Sequence, residues 1–163
     1  FDSGLEREAD LGRLDAQGQV DELARRLGRA ISLDDCIAAR RAAMRVDLPM
    51  LALAERLAAH AGVAILTNNG LMLRDHLATI CPALLPLFAG RVACSAQFGL
   101  AKPDPAIFRR CLAELGAGAQ DTLFIDDKLD NVEGARAAGL HGHHYRNLPT
   151  LLAELRQRGL PET

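Results

Sequence analysis

The sequence predicts an α/β fold: a doubly wound, Rossmann-like parallel sheet with a small helical cap segment at the N-terminus. From Gly62 onward, short apolar runs alternate with helical patterns, which favours parallel strands covered by helices on both faces. Before that point the chain shows helical periodicity and no strand pattern. We therefore expect a partial helical cap over residues 1–48 and a core over residues 49–163.

The N-terminal part is predicted to be helical after a weakly patterned start over residues 1–15. Ser32 has the sequence context of a helix N-cap, with Asp35 in the position of a capping box. Pro49 suits the first turn of a helix. The predicted helices cover residues 16–28, 32–46 and 50–60.

The C-terminal part is predicted to repeat a strand, a turn and a helix. Its strands are short apolar or β-branched runs, and glycines or prolines separate them from the helical patterns. The predicted strands cover residues 63–66, 91–94, 122–125 and 141–145, and the predicted helices cover residues 71–80, 106–115, 128–139 and 148–158.

Composition narrows the class of protein. With 163 residues, 49% of them hydrophobic and 25% charged, the chain can bury a core. Its net charge of −2 gives no electrostatic reason to expect nucleic acid or an anionic membrane as a partner. The four cysteines are scattered and form no metal-binding pattern, so we expect a reducing, cytoplasmic environment. No oligomeric state is predicted.

Two adjacent carboxylates, Asp126 and Asp127, stand at the end of the third predicted strand. Ligands bind at the carboxyl edge of open α/β sheets. Neighbouring carboxylates stay ionised most easily beside a cation, and oxygen ligands without His or Cys suit Mg²⁺ better than Zn²⁺. The pair is therefore a candidate magnesium site. A simple helix N-cap remains the alternative, because Asp is a favoured cap residue.

Three further polar residues are expected at the same edge. Thr67 and Asn68 follow the first predicted strand, and Lys102 lies in the loop after the second. A hydroxyl group, an amide turn at a helix N-terminus and a lysine suit a phosphate group. Converging on one crevice, they would form a phosphate site. Each also has a structural alternative, since residues 67–70 suit a plain turn and a lone loop lysine is usually solvated.

Two other clusters favour a structural interpretation. The segment 141–144 contains three histidines, but their side chains alternate between the two faces of a strand and no further ligand is evident. They are predicted to be ordinary strand residues. Arg40, Arg41 and Arg45 form a basic cluster on a predicted helix; an anionic substrate could contact it, but a solvated helix face is favoured.

Three segments, 65–70, 98–108 and 123–139, resemble in this order the second, third and fourth motifs of the haloacid dehalogenase-like (HAD) hydrolase superfamily. The most specific runs begin at Lys102 and at Asp126. The acid pair is typical of the phosphatase branch, which includes the N-terminal domains of soluble epoxide hydrolases and sugar-phosphate phosphatases. The resemblance implies a Mg²⁺-dependent phosphomonoester hydrolase that acts on a small phosphorylated metabolite through an aspartyl-phosphate.

The same resemblance implies roles for the residues at the sheet edge. Thr67 would hydrogen-bond the transferring phosphoryl group, with help from the backbone of Asn68. Lys102 would stabilise the nucleophile and the covalent intermediate.

On the metal side, the resemblance implies that Asp127 is a Mg²⁺ ligand. Asp126 would lie behind it or share that role, and Asn131 would support the site.

One expected motif has no convincing match. The family's nucleophilic Asp ends a hydrophobic strand, and although residues 1–4 imitate the motif, no strand precedes Asp2. We therefore expect the nucleophile upstream of Phe1. The core would then lack its first strand, which the family places between the strands leading to Thr67 and Asp127. This sequence would be a truncated form, which need not itself be active.

Three alternatives to a phosphatase stay open. A catalytically inactive HAD-fold binding module would keep the fold without the nucleophile. A metal-free haloacid dehalogenase is disfavoured by the acid pair at Asp126 and Asp127. A phospho-receiver signalling module is disfavoured because its acid pair comes first in the chain, whereas here it comes last.

Overall fold

The computed structural model of the protein describes residues 4–160, in which helices precede and then alternate with short strands. The helices are α1 (Leu5–Asp10), α2 (Ala16–Leu27), α3 (Leu33–Ala43), α4 (Leu48–Leu57), α5 (Leu71–Ile80), α6 (Leu85–Phe88), α7 (Pro105–Leu115), α8 (Leu129–Ala137) and α9 (Leu148–Gln157). The strands are β1 (Ile65–Thr67), β2 (Val92–Cys94), β3 (Leu123–Asp126) and β4 (His141–His144).

The chain divides into two compact units, each built from two separate stretches. The first unit comprises Phe1–Val46 and Ile65–Ala101, and the second comprises Asp47–Ala64 and Lys102–Thr163. The predicted cap over residues 1–48 and core over residues 49–163 stay predictions.

The first unit is organised around a parallel pair of strands, β1 and β2. Its helix α3 begins at Ser32, whose side chain accepts a hydrogen bond from the Asp35 backbone while the Asp35 carboxylate accepts one from the Ser32 backbone. This reciprocal cap satisfies backbone donors that the first turn leaves without partners. The apolar core of the unit contains Ile37, Leu73, Ile80, Cys81 and Cys94.

The second unit is organised around the parallel pair β3 and β4, in which Leu123 lies opposite His141 and Asp126 lies opposite His144. The chain turns from β3 directly into α8, so the last residues of the strand and the first turn of the helix are neighbours. Helices α4 and α9 bury Leu53, Leu151 and Leu155 in the core of the unit.

The predicted α/β class is confirmed: both strand pairs are parallel, and helices alternate with strands after an all-helical start. β1 begins at Ile65 rather than at the predicted Val63, because the pairing with β2 runs only from Ile65 to Thr67. Helix α1 lies in a segment for which no element is predicted. The three histidines are in β4, as predicted.

No single helix of the described chain is long and apolar enough to cross a membrane. Within residues 4–160, one pair of helices, Leu71–Ile80 with Pro82–Phe88, reaches that length and composition together, and it is bent by 86°.

Candidate active site

Asp126 ends β3 and forms a buried ion pair with Lys102. The Lys102 Nζ atom lies 2.7 Å from Asp126 Oδ2, and the two side chains are only 9% and 8% exposed. Burying two charges is costly unless further hydrogen bonds satisfy them. The surroundings of both residues must therefore supply partners.

The second oxygen of the Asp126 carboxylate has two partners of its own. Oδ1 accepts a hydrogen bond of 2.9 Å from the Lys128 backbone N–H and one of 3.0 Å from the Asn131 amide. Burial raises the pKa of Asp126, but the hydrogen bonds from Lys102, Lys128 and Asn131 outweigh it and hold the pKa below its usual value. The Asp126 carboxylate is therefore ionised at neutral pH.

Lys102 is held in place by the residues around it. Its Nζ atom lies 5.3 Å from the centre of the Phe124 ring, a favourable position for a cation over an aromatic face. The next residue, Pro103, packs so closely on α8 that a Cβ atom added at Gly134 would lie 2.0 Å from the Pro103 carbonyl oxygen. Gly134 therefore lets the Lys102 loop approach the helix.

Asp127 has the opposite environment to that of its neighbour. The residue is exposed, and its backbone carbonyl lies 3.1 Å from Nε2 of His144. Together with Asp126 it lines an open cavity of about 410 Å³, whose remaining lining residues are Met50, Ile125 and Tyr145. An exposed carboxylate beside an open cavity can accept a ligand from solvent.

The chemistry of these residues fits a magnesium ion in part. Within residues 4–160, no group of three or more His, Cys, Asp or Glu residues could enclose a metal. Mg²⁺, however, is commonly bound by one or two carboxylates together with substrate phosphates and water. The exposed carboxylate of Asp127 can serve as such a ligand of Mg²⁺. Asp126 is less suited to this role, because hydrogen-bond donors already engage both of its carboxylate oxygens.

In the first unit, Thr67 ends β1 and its hydroxyl oxygen accepts a hydrogen bond of 2.6 Å from the Asn69 side-chain amide. The amide oxygen of Asn69 accepts a hydrogen bond from Arg40 of α3. The backbone N–H of Asn69 donates to the hydroxyl group of Ser95, which is fully buried. The turn after β1 is therefore fixed through its second asparagine.

A cavity of about 650 Å³ adjoins this turn in the first unit. Helices α1, α2, α3 and α5 and residues 68–70 form its wall, which mixes apolar and charged side chains. Arg40 is one of its lining residues, and so are Leu23, Leu27 and Met72.

The predicted site residues are divided between the two units. The structure brings Lys102, Asp126 and Asn131 into direct contact, with Asp127 beside them. Thr67 and Asn68 belong to the first unit, so convergence on one crevice stays a prediction. Asp2 lies outside the described residues.

Sequence reasoning gave Asn69 no role and favoured a solvated helix face for Arg40, whereas in the structure Arg40 donates a hydrogen bond to Asn69. Asn69 is the second asparagine of the predicted turn, and the resemblance assigns a role only to the first. Arg40 contacts a residue 29 positions away, and neither helical periodicity nor a local motif can indicate such a contact.

The chain belongs to the family of haloacid dehalogenase-like hydrolases, whose family model matches residues 5–139. It is 40% identical over 81 residues to Phosphatase MT3486 of Mycobacterium tuberculosis, a match that covers 50% of this chain and 37% of that protein. It is also 39% identical over 71 residues to the sesquiterpene phosphatase astK of Aspergillus oryzae, covering 44% of this chain and 36% of that one. The matches thus span little more than a third of either relative.

Solved structures share the fold. A protein from Porphyromonas gingivalis, described as a predicted HAD-like family hydrolase, superimposes with a TM-score of 0.76 and 25% identity, covering 95% of this chain and 80% of that one. A HAD family enzyme of Bacteroides thetaiotaomicron, crystallised with magnesium and inorganic phosphate, gives a TM-score of 0.75 and 20% identity, covering 88% of this chain and 76% of that one. These likenesses confirm the doubly wound α/β architecture.

Proposed function

We propose that the protein is a Mg²⁺-dependent phosphomonoester hydrolase that works through an aspartyl-phosphate. The observation that carries the proposal is the buried Lys102–Asp126 pair at the carboxyl end of β3, with the exposed carboxylate of Asp127 next to it. A buried lysine and an accessible carboxylate in adjoining positions suit a phosphate and its counter-ion.

Each residue has a distinct part in this proposal. Lys102 supplies positive charge toward the nucleophile and the phosphoryl group, and Asp126 fixes the position of Lys102. Asp127 contributes a carboxylate ligand to Mg²⁺, which when bound neutralises phosphate charge and polarises the phosphorus centre. Thr67 donates its hydroxyl hydrogen to a phosphoryl oxygen. An Asp nucleophile attacks phosphorus and breaks its bond to the ester oxygen, so that the alcohol leaves; water then hydrolyses the acyl phosphate, which releases inorganic phosphate and regenerates the Asp.

The nucleophile is proposed to come from a strand that precedes Phe1 in the natural protein. In residues 4–160, β4 is the one strand that pairs with β3, so the other side of β3 can take a further strand. Both curated relatives named above are longer than this chain, because the matched segments of 81 and 71 residues are only 37% and 36% of those proteins.

The relatives bear on the substrate class. Two of them are named as phosphatases, and one of these as a sesquiterpene phosphatase. A third relative, 34% identical over 67 residues, is a flavin mononucleotide hydrolase of Arabidopsis thaliana. We propose a small phosphorylated metabolite as the substrate and the cytoplasm as the location.

The test is the intact mass of the natural gene product, together with its hydrolysis of p-nitrophenyl phosphate with and without Mg²⁺. We expect a longer chain and Mg²⁺-dependent turnover, which Asp127→Asn abolishes without lowering the free energy of unfolding. The matched control is Asp130→Asn, because Asp130 is another exposed carboxylate a few residues away.

Two results would contradict the proposal. A natural chain that begins at Phe1 and stays inert with Mg²⁺ would favour a binding module built on this fold. Metal-independent hydrolysis of 2-chloropropionate would favour a dehalogenase instead.

A further inference from the structure

The turn after β1 contains a chain of hydrogen bonds that joins helix α3 to the hydroxyl group of Thr67. Arg40 donates to the amide oxygen of Asn69, and the Asn69 amide nitrogen donates to Thr67 Oγ1 at 2.6 Å. All three residues belong to the first unit. None of the roles given above to the phosphate-binding residues involves Arg40 or Asn69.

The direction of this chain follows from donor and acceptor chemistry. A guanidinium group has donors and no acceptor, so the atom of Asn69 that faces Arg40 must be its oxygen. The Asn69 nitrogen then faces Thr67, where it can only donate. Arg40 therefore decides which way round the Asn69 amide lies.

The consequence falls on the hydroxyl hydrogen of Thr67. Because Oγ1 accepts from Asn69, the hydroxyl hydrogen must point away from that nitrogen. Asn69 is itself held by its backbone, since its N–H donates to the buried Ser95 hydroxyl at 3.1 Å and Ser95 donates to the Asp10 carbonyl at 2.7 Å. The backbone of Asn69, whose side-chain amide orients Thr67, is therefore held in place.

We propose that Arg40 and Asn69 are positioning residues that hold the Thr67 hydroxyl as a hydrogen-bond donor to the phosphoryl group. The proposal rests on the proposed phosphatase function for its kinetic consequence, but the orientation of the Asn69 amide can be measured without it. Preorganised donors cost no reorientation during the reaction, so losing the orientation lowers turnover.

Arg40 also lines the 650 Å³ cavity, so it could instead contact the leaving group of a substrate. The two roles separate in kinetics. A positioning role acts on the transferring phosphoryl group, lowers kcat and disappears once Thr67 has no hydroxyl. A direct contact with the leaving group raises KM and persists without that hydroxyl.

The kinetic experiment measures kcat and KM for p-nitrophenyl phosphate in the natural gene product. We expect Arg40→Met to lower kcat by about 3- to 10-fold with little change in KM, since one polar interaction is lost indirectly. In a Thr67→Val background the same substitution should change kcat by less than about twofold, because the effects of residues in one hydrogen-bond network are not additive. Arg41→Met is the matched control, as Arg41 is an exposed neighbour on α3 that does not line the cavity.

A second variant tests which group donates and which accepts in the hydrogen bond between Asn69 and Thr67. Asn69→Asp keeps the shape and the Arg40 contact but presents an acceptor to Thr67, so the hydroxyl hydrogen turns toward the carboxylate. We expect a larger kcat loss than for Arg40→Met. The loss should shrink in the Thr67→Val background, where only the added charge acts.

The readout independent of catalysis is the side-chain amide signal of Asn69 in a ¹⁵N NMR spectrum of the same protein. Arg40→Met should shift this signal and Arg41→Met should not. If Arg40→Met leaves both the signal and kcat unchanged, or if its kcat effect persists in Thr67→Val, the positioning role is wrong. If the wild-type protein is inert but Arg40→Met shifts the signal, the phosphatase function fails and the orienting contact stands.

Discussion

Asp126 and Asp127 are adjacent aspartates, yet the surroundings of their two carboxylates differ. Asp126 is buried, paired with Lys102 and bonded to Asn131, whereas Asp127 is exposed. The end of β3 creates the difference, because the last strand residue points into the unit and the next one begins the turn. The first carboxylate therefore suits a structural and electrostatic role and the second a ligand role.

The Asp126 ion pair predicts a pH-dependent stability. Asp126→Asn removes the carboxylate that pairs with the buried Lys102 and should cost about 3 kcal/mol of unfolding free energy at pH 7. The folded-state pKa of Asp126 is lowered, so its contribution is present above the unfolded pKa of about 3.9 and is lost as the pH falls through the lower folded value. Urea unfolding of both proteins across this range measures the effect.

The control for this measurement is again Asp130→Asn, which removes an exposed carboxylate from the first turn of α8. It should change stability little at any pH. A stability difference between wild type and Asp126→Asn that stays constant from neutral to strongly acidic pH would show that the ion pair does not contribute.

Helix α8 lies close to the loop that carries Lys102 and also contacts Asp126. Its Gly134 allows Pro103 to pack against the helix backbone, and its Asn131 donates to Asp126. One helix therefore supports both members of the ion pair. The glycine and the asparagine three residues before it are in the motif-like run that follows Asp126 in the sequence.

Gly134→Ala should destabilise the second unit and displace the Lys102 loop. The new Cβ atom would lie 2.0 Å from the Pro103 carbonyl oxygen, which is backbone and cannot rotate aside. Overpacking of this kind costs about 2 kcal/mol. The midpoint temperature of thermal unfolding and the proposed phosphatase activity should both fall. Gly62→Ala, where nothing lies within 4 Å of the new Cβ atom, should change both very little. Unchanged unfolding of Gly134→Ala would contradict the packing argument.

Local signals were sufficient to predict most helices and strands, whereas the roles of the site residues stay predictions. The Ser32 cap and the Gly28 stop are encoded within a few residues, and the structure has both. Helix α1 escaped prediction because it is only six residues long and mixes charges with Leu5 and Ala9, its buried residues. The Arg40–Asn69 contact joins distant segments, so only tertiary packing creates it.

At the scale of the whole molecule, the residues proposed for catalysis are shared between two units, each with its own pair of parallel strands. Lys102, Asp126 and Asn131 need only the second unit to come together. The ion pair can therefore form whether or not the proposed upstream strand is present. That strand would instead supply the nucleophile and complete the pairing of β3.

The proposed upstream strand makes a prediction for individual amides of β3. The Thr122 and Asp126 carbonyls accept hydrogen bonds of 3.0 and 2.9 Å from the β4 side. Because backbone groups alternate along a strand, the N–H groups of Leu123 and Ile125 point to the other side. Amide hydrogen exchange of these two residues should be much slower in the natural gene product than in the chain of residues 1–163, while Asp126 should differ little. Equal exchange of Leu123 and Ile125 in both proteins would show that no further strand pairs with β3, and the source of the nucleophile would have to be sought elsewhere.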